Sequence, residues 1–454
     1  MKINDDVFRA YDIRGIYPKD IDEGFAKLAA KAYHKFLGGK RIAVSMDVRI
    51  SNKALTDPFI EGLLESGAEV WFIGVAPTPL LYFTVAHYGL DGGAAVSASH
   101  NPPEWNGFKL CGKHAKVFGW GEGLEKIKDL MVNEKFRIAE SKGRLIDKHD
   151  EVFAAYENFV IKNNRMEKRL RIGMDPGNGA CCGFAANILS DAKQDVIAIN
   201  NNPDGHFPSR SPEPKPETVG DLIKLVKKDR LDFGVAFDGD GDRAIFVDDK
   251  GNVLGGDTVL ALFANNSIEP GDKVVYEVSC SDAVKEVVEK RHAVPLVSKV
   301  GHSYIETMML ESNARMGGEI SGHMYFRESY YFDDAFFAAA KMVELLCKKD
   351  RKLSGLIAEL PQYYKKTIEF EISDRVKFKV IDKVRENLLR SRKELITIDG
   401  VKLITDDGWF ILRASNTGPK IKMVAEARTE GRLSELLKIG KREFENAYTE
   451  VMKA

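Results

Sequence analysis

Two short runs in this 454-residue chain carry residue types and spacings suited to one chemistry. The first, Ser97-Ala98-Ser99-His100-Asn101-Pro102, sets a hydroxyl in a tight polar turn, where it can be held as a phosphate carrier. The second, Asp238-Gly239-Asp240-Gly241-Asp242-Arg243, alternates three carboxylates with two glycines. The glycines let the backbone curl so that acids at i, i+2 and i+4 converge, and hard oxygen ligands of this kind suit Mg²⁺ or Ca²⁺. A calcium loop of the helix–loop–helix type needs Gly at its sixth position and a helix ahead of it. Here the sixth position is Arg243, and a strand pattern, Leu231–Phe237, precedes the loop.

Each run also has a plain reading. The triad reads as an acidic surface turn, Ser99 as a turn or cap residue, His100 as a structural hydrogen-bonding residue and Lys109 as solvated surface. Charge ties the two runs together. Three aspartates, a divalent ion and a phosphoserine leave about −3 uncompensated, so such a site needs cations close by. Arg243 adjoins the triad, and Lys109 and Arg14 are the candidates from elsewhere. Together these groups read as phosphoryl transfer, in which metal and cations stabilise charge on the moving group.

Two further clusters look like ligand grips. Gly317–His323 brings together the carboxylate of Glu319, the hydroxyl of Ser321 and the imidazole of His323, a set that fits vicinal sugar hydroxyls or a generic loop. Arg413-Ala414-Ser415-Asn416-Thr417-Gly418-Pro419 leaves a strand with a guanidinium, two hydroxyls and an amide. It fits an anion nest for phosphate or a polar hairpin.

The elements that must position these groups follow an α/β pattern. The spacing predicts strands over Arg41–Met46 and Val70–Val75, with a helix over Lys53–Glu65 between them. Gly92–Val96 reads as a small apolar strand that delivers the serine turn, and Asn101-Pro102-Pro103 ends regular structure. A second unit opens with Leu170–Met174, a turn over Asp175–Gly179 and a helix to about Leu189. A third opens with Lys273–Val278 and a helix over Asp282–Lys290. The three starts resemble one another weakly, short of a repeat. Asn201–Glu217, rich in Pro, Asn and Ser, is expected to be an extended, solvated connection, and Asp248–Asn252 a hairpin turn. After Pro361 the pattern changes to an α+β module. Its strands are Ile368–Ile372, runs around Ile396, Leu403 and Phe410, and Lys420–Ala427; its helices are Lys377–Leu389 and Leu433 to about Met452.

Composition sets bounds. With 67 basic against 68 acidic residues, no broad field recruits nucleic acid or anionic lipid. At 44% hydrophobic and 30% charged, the chain matches ordinary globular proteins, and its length suits three to four domains at ~100–200 residues each. The first fifteen residues are too polar for a secretory signal, and no apolar run approaches the roughly 18–20 residues of a membrane span. The five cysteines have no metal-like spacing and an odd count, so reduced thiols in a cytoplasmic protein are expected.

The motifs, in this order, resemble the α-D-phosphohexomutase superfamily, in its phosphomannomutase/phosphoglucomutase branch. The likeness begins at Phe8–Gly15 and continues through Asp47-Val48-Arg49-Ile50-Ser51, Pro77-Thr78-Pro79, the Ser99 loop and Phe207 to Pro216. The triad follows, then Val300-Gly301-His302-Ser303, the Glu319 loop and the Arg413 loop. The resemblance implies three related α/β domains with mixed sheets and a C-terminal α+β domain resembling the TATA-binding-protein fold, arranged around a central cleft. The expected divisions are 1–149, 150–250, 251–363 and 364–454, each giving the cleft one loop.

The resemblance further implies that Ser99 is phosphorylated and that Asp238, Asp240 and Asp242 hold Mg²⁺ with the phosphoseryl oxygen. Glu319 and Ser321 would bind sugar hydroxyls, and Arg413, Ser415, Asn416 and Thr417 the phosphate that is not reacting. Tyr11, Arg14, Arg243, His302 and His323 would line the cleft. Substrates would be small hexose phosphates of mannose or glucose, with a hexose 1,6-bisphosphate as intermediate and no nucleic-acid or membrane partner. Lys109 is the first choice to carry the proton, on the expectation that burial among cations lowers its pKa. His100 qualifies by proximity, and Arg14 less so, because guanidinium resists deprotonation. Relatives carry a Lys where this chain has Ser279, and Lys299 is a candidate replacement. The Pro of Asp175-Pro176-Gly177 is a second departure. Phosphoglucosamine mutase is the nearest alternative, although its counterpart commonly has Gln where Ile320 stands. A catalytically silent sugar-phosphate binder would lack the nucleophile or a metal ligand, and neither is missing.

Overall fold

A computed structural model describes residues 3–390, 394–415 and 418–453. Four sheets follow one another along the chain. The first has six strands in the order Ile13–Ile16, Trp105–Cys111, Gly92–Val96, Arg41–Met46, Glu69–Val75, Arg144–Asp147. Its first two pairings are antiparallel and the rest parallel, so the sheet is mixed. Gly92–Val96 is buried along its whole length. Its glycines admit close neighbours, and a Cβ at Gly92 would meet the Tyr33 hydroxyl at 2.4 Å.

The second sheet orders Val253–Leu254, Ala244–Asp248, Phe233–Phe237, Arg171–Asp175 and Asp195–Ala198. Parallel pairing at its centre gives way to antiparallel pairing beyond Phe233–Phe237. The edge strand Val253–Leu254 carries this sheet past residue 250. The third sheet orders Val294–Ser298, Lys273–Glu277, Met316–Gly318 and Met324–Phe326, the last pair antiparallel. The helix Asp282–Lys290 starts where Ser281 accepts the Ala283 N–H, an N-cap that fixes its register. The fourth sheet is wholly antiparallel, with Tyr364–Glu371, Lys420–Ala427, Gly408–Ala414, Val401–Thr405 and Leu395–Ile396 in order. The helices Asp374–Arg390 and Glu430–Lys453 pack on it.

Side chains of the first three sheets and their helices join in one continuous apolar cluster. The fourth sheet keeps its own core and meets the third through a small patch of Val278, Trp409, Ile411 and Val424. The connection over 201–217 is irregular and exposed at roughly half of its residues, as expected, but it is pinned by buried anchors. Phe207, Arg210 and Pro212 are buried, and Arg210 pairs with buried Asp175 at 2.9 Å. Proline and serine content indicates the lack of regular structure but does not reveal these buried anchors. Among the described residues no helix is long and apolar enough to cross a membrane, and the five cysteines are unpaired.

Candidate active site

The serine loop is held by one buried guanidinium. Arg49 pairs with Asp47 at 3.1 Å, both side chains fully buried. It donates to the carbonyl oxygens of Ser99 (2.8 Å), Asn101 (2.6 Å) and Trp105 (2.9 Å), and to that of Pro102. This planar fork fixes a turn in which Ser99 takes φ 48°, a left-handed conformation uncommon for any residue but glycine. The Ser99 N–H donates to Ser97 Oγ at 2.9 Å, and the Ser99 side chain is fully buried.

Against this loop comes the acidic run at the end of the strand Phe233–Phe237. Ser99 Oγ donates to Asp238 Oδ2 at 2.7 Å, so the two motifs meet although they are 139 residues apart. Gly239 makes the approach possible, since a Cβ there would lie 2.4 Å from the Ser99 carbonyl oxygen. Gly241 has φ 74°, which suits the curl that turns the third acid inward. Thr78 fastens the run from the start of the helix Thr78–His87, its Oγ1 donating to Asp240 Oδ2 at 2.6 Å and its N–H to the Asp240 carbonyl at 2.8 Å.

The three aspartates are buried, with one carboxylate oxygen from each within 4.8 Å of the others. The Oδ1 atoms of Asp240 and Asp242 are buried without a hydrogen-bond partner. Unpartnered hard oxygens converging in this way fit a divalent cation, and the Ser99 oxygen is beside them. Lys109 Nζ lies 2.7 Å from Asp240 Oδ2 and also contacts Asp242. Burial and mutual repulsion push the Asp238 carboxyl well up, whereas Lys109 helps hold Asp242 low against the cost of burial.

Beside this cluster is a cavity of about 330 Å³ lined from all four sheets and their loops. Of the sequence-predicted residues, Tyr11, Arg14, His100, Lys109, Asp242, Arg243, His302, Glu319, Ser321, His323, Arg413 and Ser415 line it. Ser99, Asp238 and Asp240 are fully buried and do not line it. Asn416 and Thr417 fall outside the described residues. Arg243 is aimed by an Nε–H that donates to His323 Nε2 at 2.9 Å, while His323 Nδ1 lies 2.8 Å from Asp333. Glu319 is fixed by the Gly301 N–H (2.9 Å) and the Ser321 hydroxyl (3.0 Å). Tyr11 donates to the Val300 carbonyl at 2.6 Å.

The electrostatics differ from the sequence expectation at Lys109. Its neighbours are carboxylates, so although burial opposes its charge, Asp240 and Asp242 prevail and hold its pKa above the usual lysine range. Burial, then Arg243, takes His100 down to about 3. Its Nε2 is buried without a partner, and its Nδ1 lies 3.6 Å from Glu213. Burial takes His302 down to about 4. Lys299 does not line the cavity and instead has its ammonium 5.3 Å from the centre of the Tyr304 ring.

Four residues of the site received no role in the sequence reading, although Arg49 and Glu213 stand in runs that carry the resemblance. Glu213 lines the cavity beside His100 and 3.9 Å from Arg243, but it stands in the Pro-rich connection and looks solvated. Glu277, buried at the end of a strand, accepts the Ile320 N–H at 3.1 Å, and burial then repulsion from Glu319 raises it to about 8. Lys422 lines the cavity from an interior strand, where it stands between buried Ile421 and Met423 and carries no motif of its own. The role of Arg49 lies in its partners' carbonyl groups, which leave no side-chain signal.

Comparison with known proteins adds a second line of observation. Residues 5–137, 152–251 and 255–364 match the models of phosphoglucomutase/phosphomannomutase α/β/α domains I, II and III, and residues 343–438 match the C-terminal domain. The chain is 36% identical to a phosphomannomutase of Methanocaldococcus jannaschii, over 94% of this chain and 95% of that one. It is 35% identical to a probable phosphoglucosamine mutase of Methanopyrus kandleri, covering 94% and 95%. A solved phosphoglucomutase/phosphomannomutase family protein from Burkholderia thailandensis superposes with a TM-score of 0.90 at 30% identity, covering 98% of both chains.

Proposed function

The chain belongs to the phosphoglucomutase/phosphomannomutase family and is an isomerase of hexose phosphates, and we propose that Ser99 carries the phosphoryl group it moves. The observation that supports this reading most is the 2.7 Å contact between Ser99 Oγ and Asp238, made beside a cavity with cationic and hydroxyl-binding groups. Phosphorylated Ser99 gives its phosphoryl group to the free O1 or O6 hydroxyl of a bound hexose monophosphate. The resulting 1,6-bisphosphate turns end for end, and its other phosphate returns to Ser99.

Mg²⁺ is the ion proposed for Asp238, Asp240, Asp242 and the phosphoseryl oxygen; when bound, it draws charge off the transferring group. Arg243 and Arg14 add positive charge from the cavity wall. Glu319, Ser321 and His323 orient the sugar hydroxyls, and His302 and Tyr11 shape the wall beside them. Arg413 with Ser415, Asn416 and Thr417 takes the phosphate that is not reacting. Lys109, kept charged by its carboxylates, acts as counter-charge to the moving phosphoryl. His100, neutral and with an unpartnered Nε2, is the better proton acceptor for the attacking hydroxyl. An arriving phosphate dianion offsets Arg243 and Arg14, which helped to lower its pKa.

Division at 1–149, 150–250, 251–363 and 364–454 is proposed with one loop per domain, and the edge strand Val253–Leu254 favours moving the second boundary slightly later. Ile320 beside Glu319 favours unmodified hexoses over amino sugars. The test is turnover of mannose 1-phosphate, glucose 1-phosphate and glucosamine 1-phosphate with Mg²⁺. The first two are expected to exceed the third, and Ser99→Ala to lose at least ~10³-fold in kcat on all of them. Faster turnover of glucosamine 1-phosphate would transfer the assignment to the amino-sugar mutase. Full activity of Ser99→Ala would remove the carrier.

A further inference from the structure

Three neighbouring strands of the fourth sheet place Arg413, Lys422 and Glu369 in one cross-strand row. Residues paired in this way share a face of the sheet. That face borders the cavity, because Arg413 and Lys422 line it, as do Val424 and Thr367 in the next row on the same side. Two cations directly opposite one another repel and cost stability. The acid that completes the row does not cancel them, since Glu369 is 2.7 Å from Lys420 Nζ and 3.5 Å from Lys422 Nζ. Arg413 reaches Asp399 through Nε at 3.3 Å, but its Nη2 is buried with no hydrogen-bond partner.

The third sheet contributes a matching hydroxyl. Ser279 lines the same cavity, is 1% exposed, and its Oγ has no partner. An unpartnered hydroxyl, an unpartnered guanidinium N–H and an undercompensated ammonium around one cavity are the donors that a phosphomonoester dianion needs. Ser279 is neutral, so the charge on this part of the wall comes from the fourth sheet. Burial holds the Lys422 ammonium below the usual lysine range, with Lys420 and Arg413 adding to the effect against the pull of Glu369. An arriving dianion relieves that conflict.

We propose that Lys422 is a substrate-binding residue, seating the non-reacting phosphate of the hexose together with Arg413 and the Ser279 hydroxyl. The proposal rests on the hexose-phosphate reading above and adds a cation that lies outside the Arg413–Pro419 loop.

The test compares the full-length wild type with Lys422→Met and Lys422→Arg. In Lys422→Met, KM for the preferred hexose 1-phosphate is expected to rise about 10-fold, roughly 1.4 kcal/mol of binding, with kcat within about 2-fold. Inorganic phosphate, titrated calorimetrically, is expected to weaken by a similar factor. Lys422→Arg is expected to restore both to within about 3-fold. Should Lys422→Met fail to fold, Lys422→Gln serves in its place.

Unchanged KM and phosphate affinity in the folded neutral variant would overturn the proposal. So would a loss confined to kcat, or an Arg variant as impaired as the Met variant. A wild type that turns over no hexose phosphate would instead remove the reading above, and the phosphate titration would still decide the role of Lys422.

Discussion

Ser99 is held at φ 48° in a fully buried turn, and the group that holds it is Arg49. One guanidinium satisfies four carbonyl oxygens of that turn while pairing with Asp47. A lysine keeps the charge but not the planar fork. Arg49→Lys is therefore expected to cost about 2–4 kcal/mol of stability, as other broken buried networks do. It should also slow turnover by more than about 10-fold, because the Ser99 oxygen loses its fixed place beside Asp238. Denaturant unfolding and steady-state kinetics on the same preparation check both effects. Wild-type stability with wild-type kcat would show that the turn holds without the fork. Residue types alone marked Ser99, the three aspartates and the cavity cations. They did not mark Glu213, whose partner His100 lies in a loop of the first sheet, far away in sequence. Nor did they mark Lys422, whose meaning depends on a register with Arg413 that periodicity cannot supply.

At the scale of elements, the strand Gly92–Val96 and the helix Asp282–Lys290 form over the residues that their patterns mark out. Small apolar residues ending in a polar turn, and a Ser N-cap before an amphipathic run, are local signals and survive folding. The buried anchors of the run 201–217 are not legible in it because they depend on distant partners. The Arg49 guanidinium lies 5.3 Å from the centre of the Phe207 ring, and Asp175 holds Arg210. A second buried acid makes a helix sensitive to pH. Asp334 caps Ala335–Lys349 by accepting the Phe337 N–H at 2.9 Å, and it takes the Tyr156 hydroxyl at 2.7 Å. Burial raises its carboxyl from 3.8 to about 7. Because the folded state then binds the proton more tightly than the unfolded chain, its contribution is fully present below about 3.8 and is lost as pH rises through about 7. Asp334→Asn removes that dependence. The wild type is expected to lose stability relative to the variant between pH 4 and 7 in a series of unfolding curves. Parallel curves would contradict the assignment.

For the molecule as a whole, the serine loop and the acidic run belong to sheets joined through one continuous core, whereas the proposed phosphate seat around Arg413 and Lys422 stands on a sheet with its own core. That fourth sheet docks through Trp409 and its apolar neighbours, with Lys402 Nζ 3.7 Å from the centre of the Trp409 ring and the Asp282 N–H donating to Glu426 at 2.8 Å. On the proposed reading, the chemical step is built into a shared core, and the grip on the substrate is assembled around it. The most direct measurement is mass spectrometry of the intact protein and its peptides, before and after mixing with hexose monophosphate. The account predicts one phosphate on Ser99 after loading with ¹⁸O-labelled hexose 1,6-bisphosphate, its label passing to the sugar phosphates on addition of unlabelled monophosphate while Ser99 is reloaded with unlabelled phosphate. An ¹⁸O label that stays on Ser99 while the sugar turns over, or turnover with the label on another residue, would contradict it.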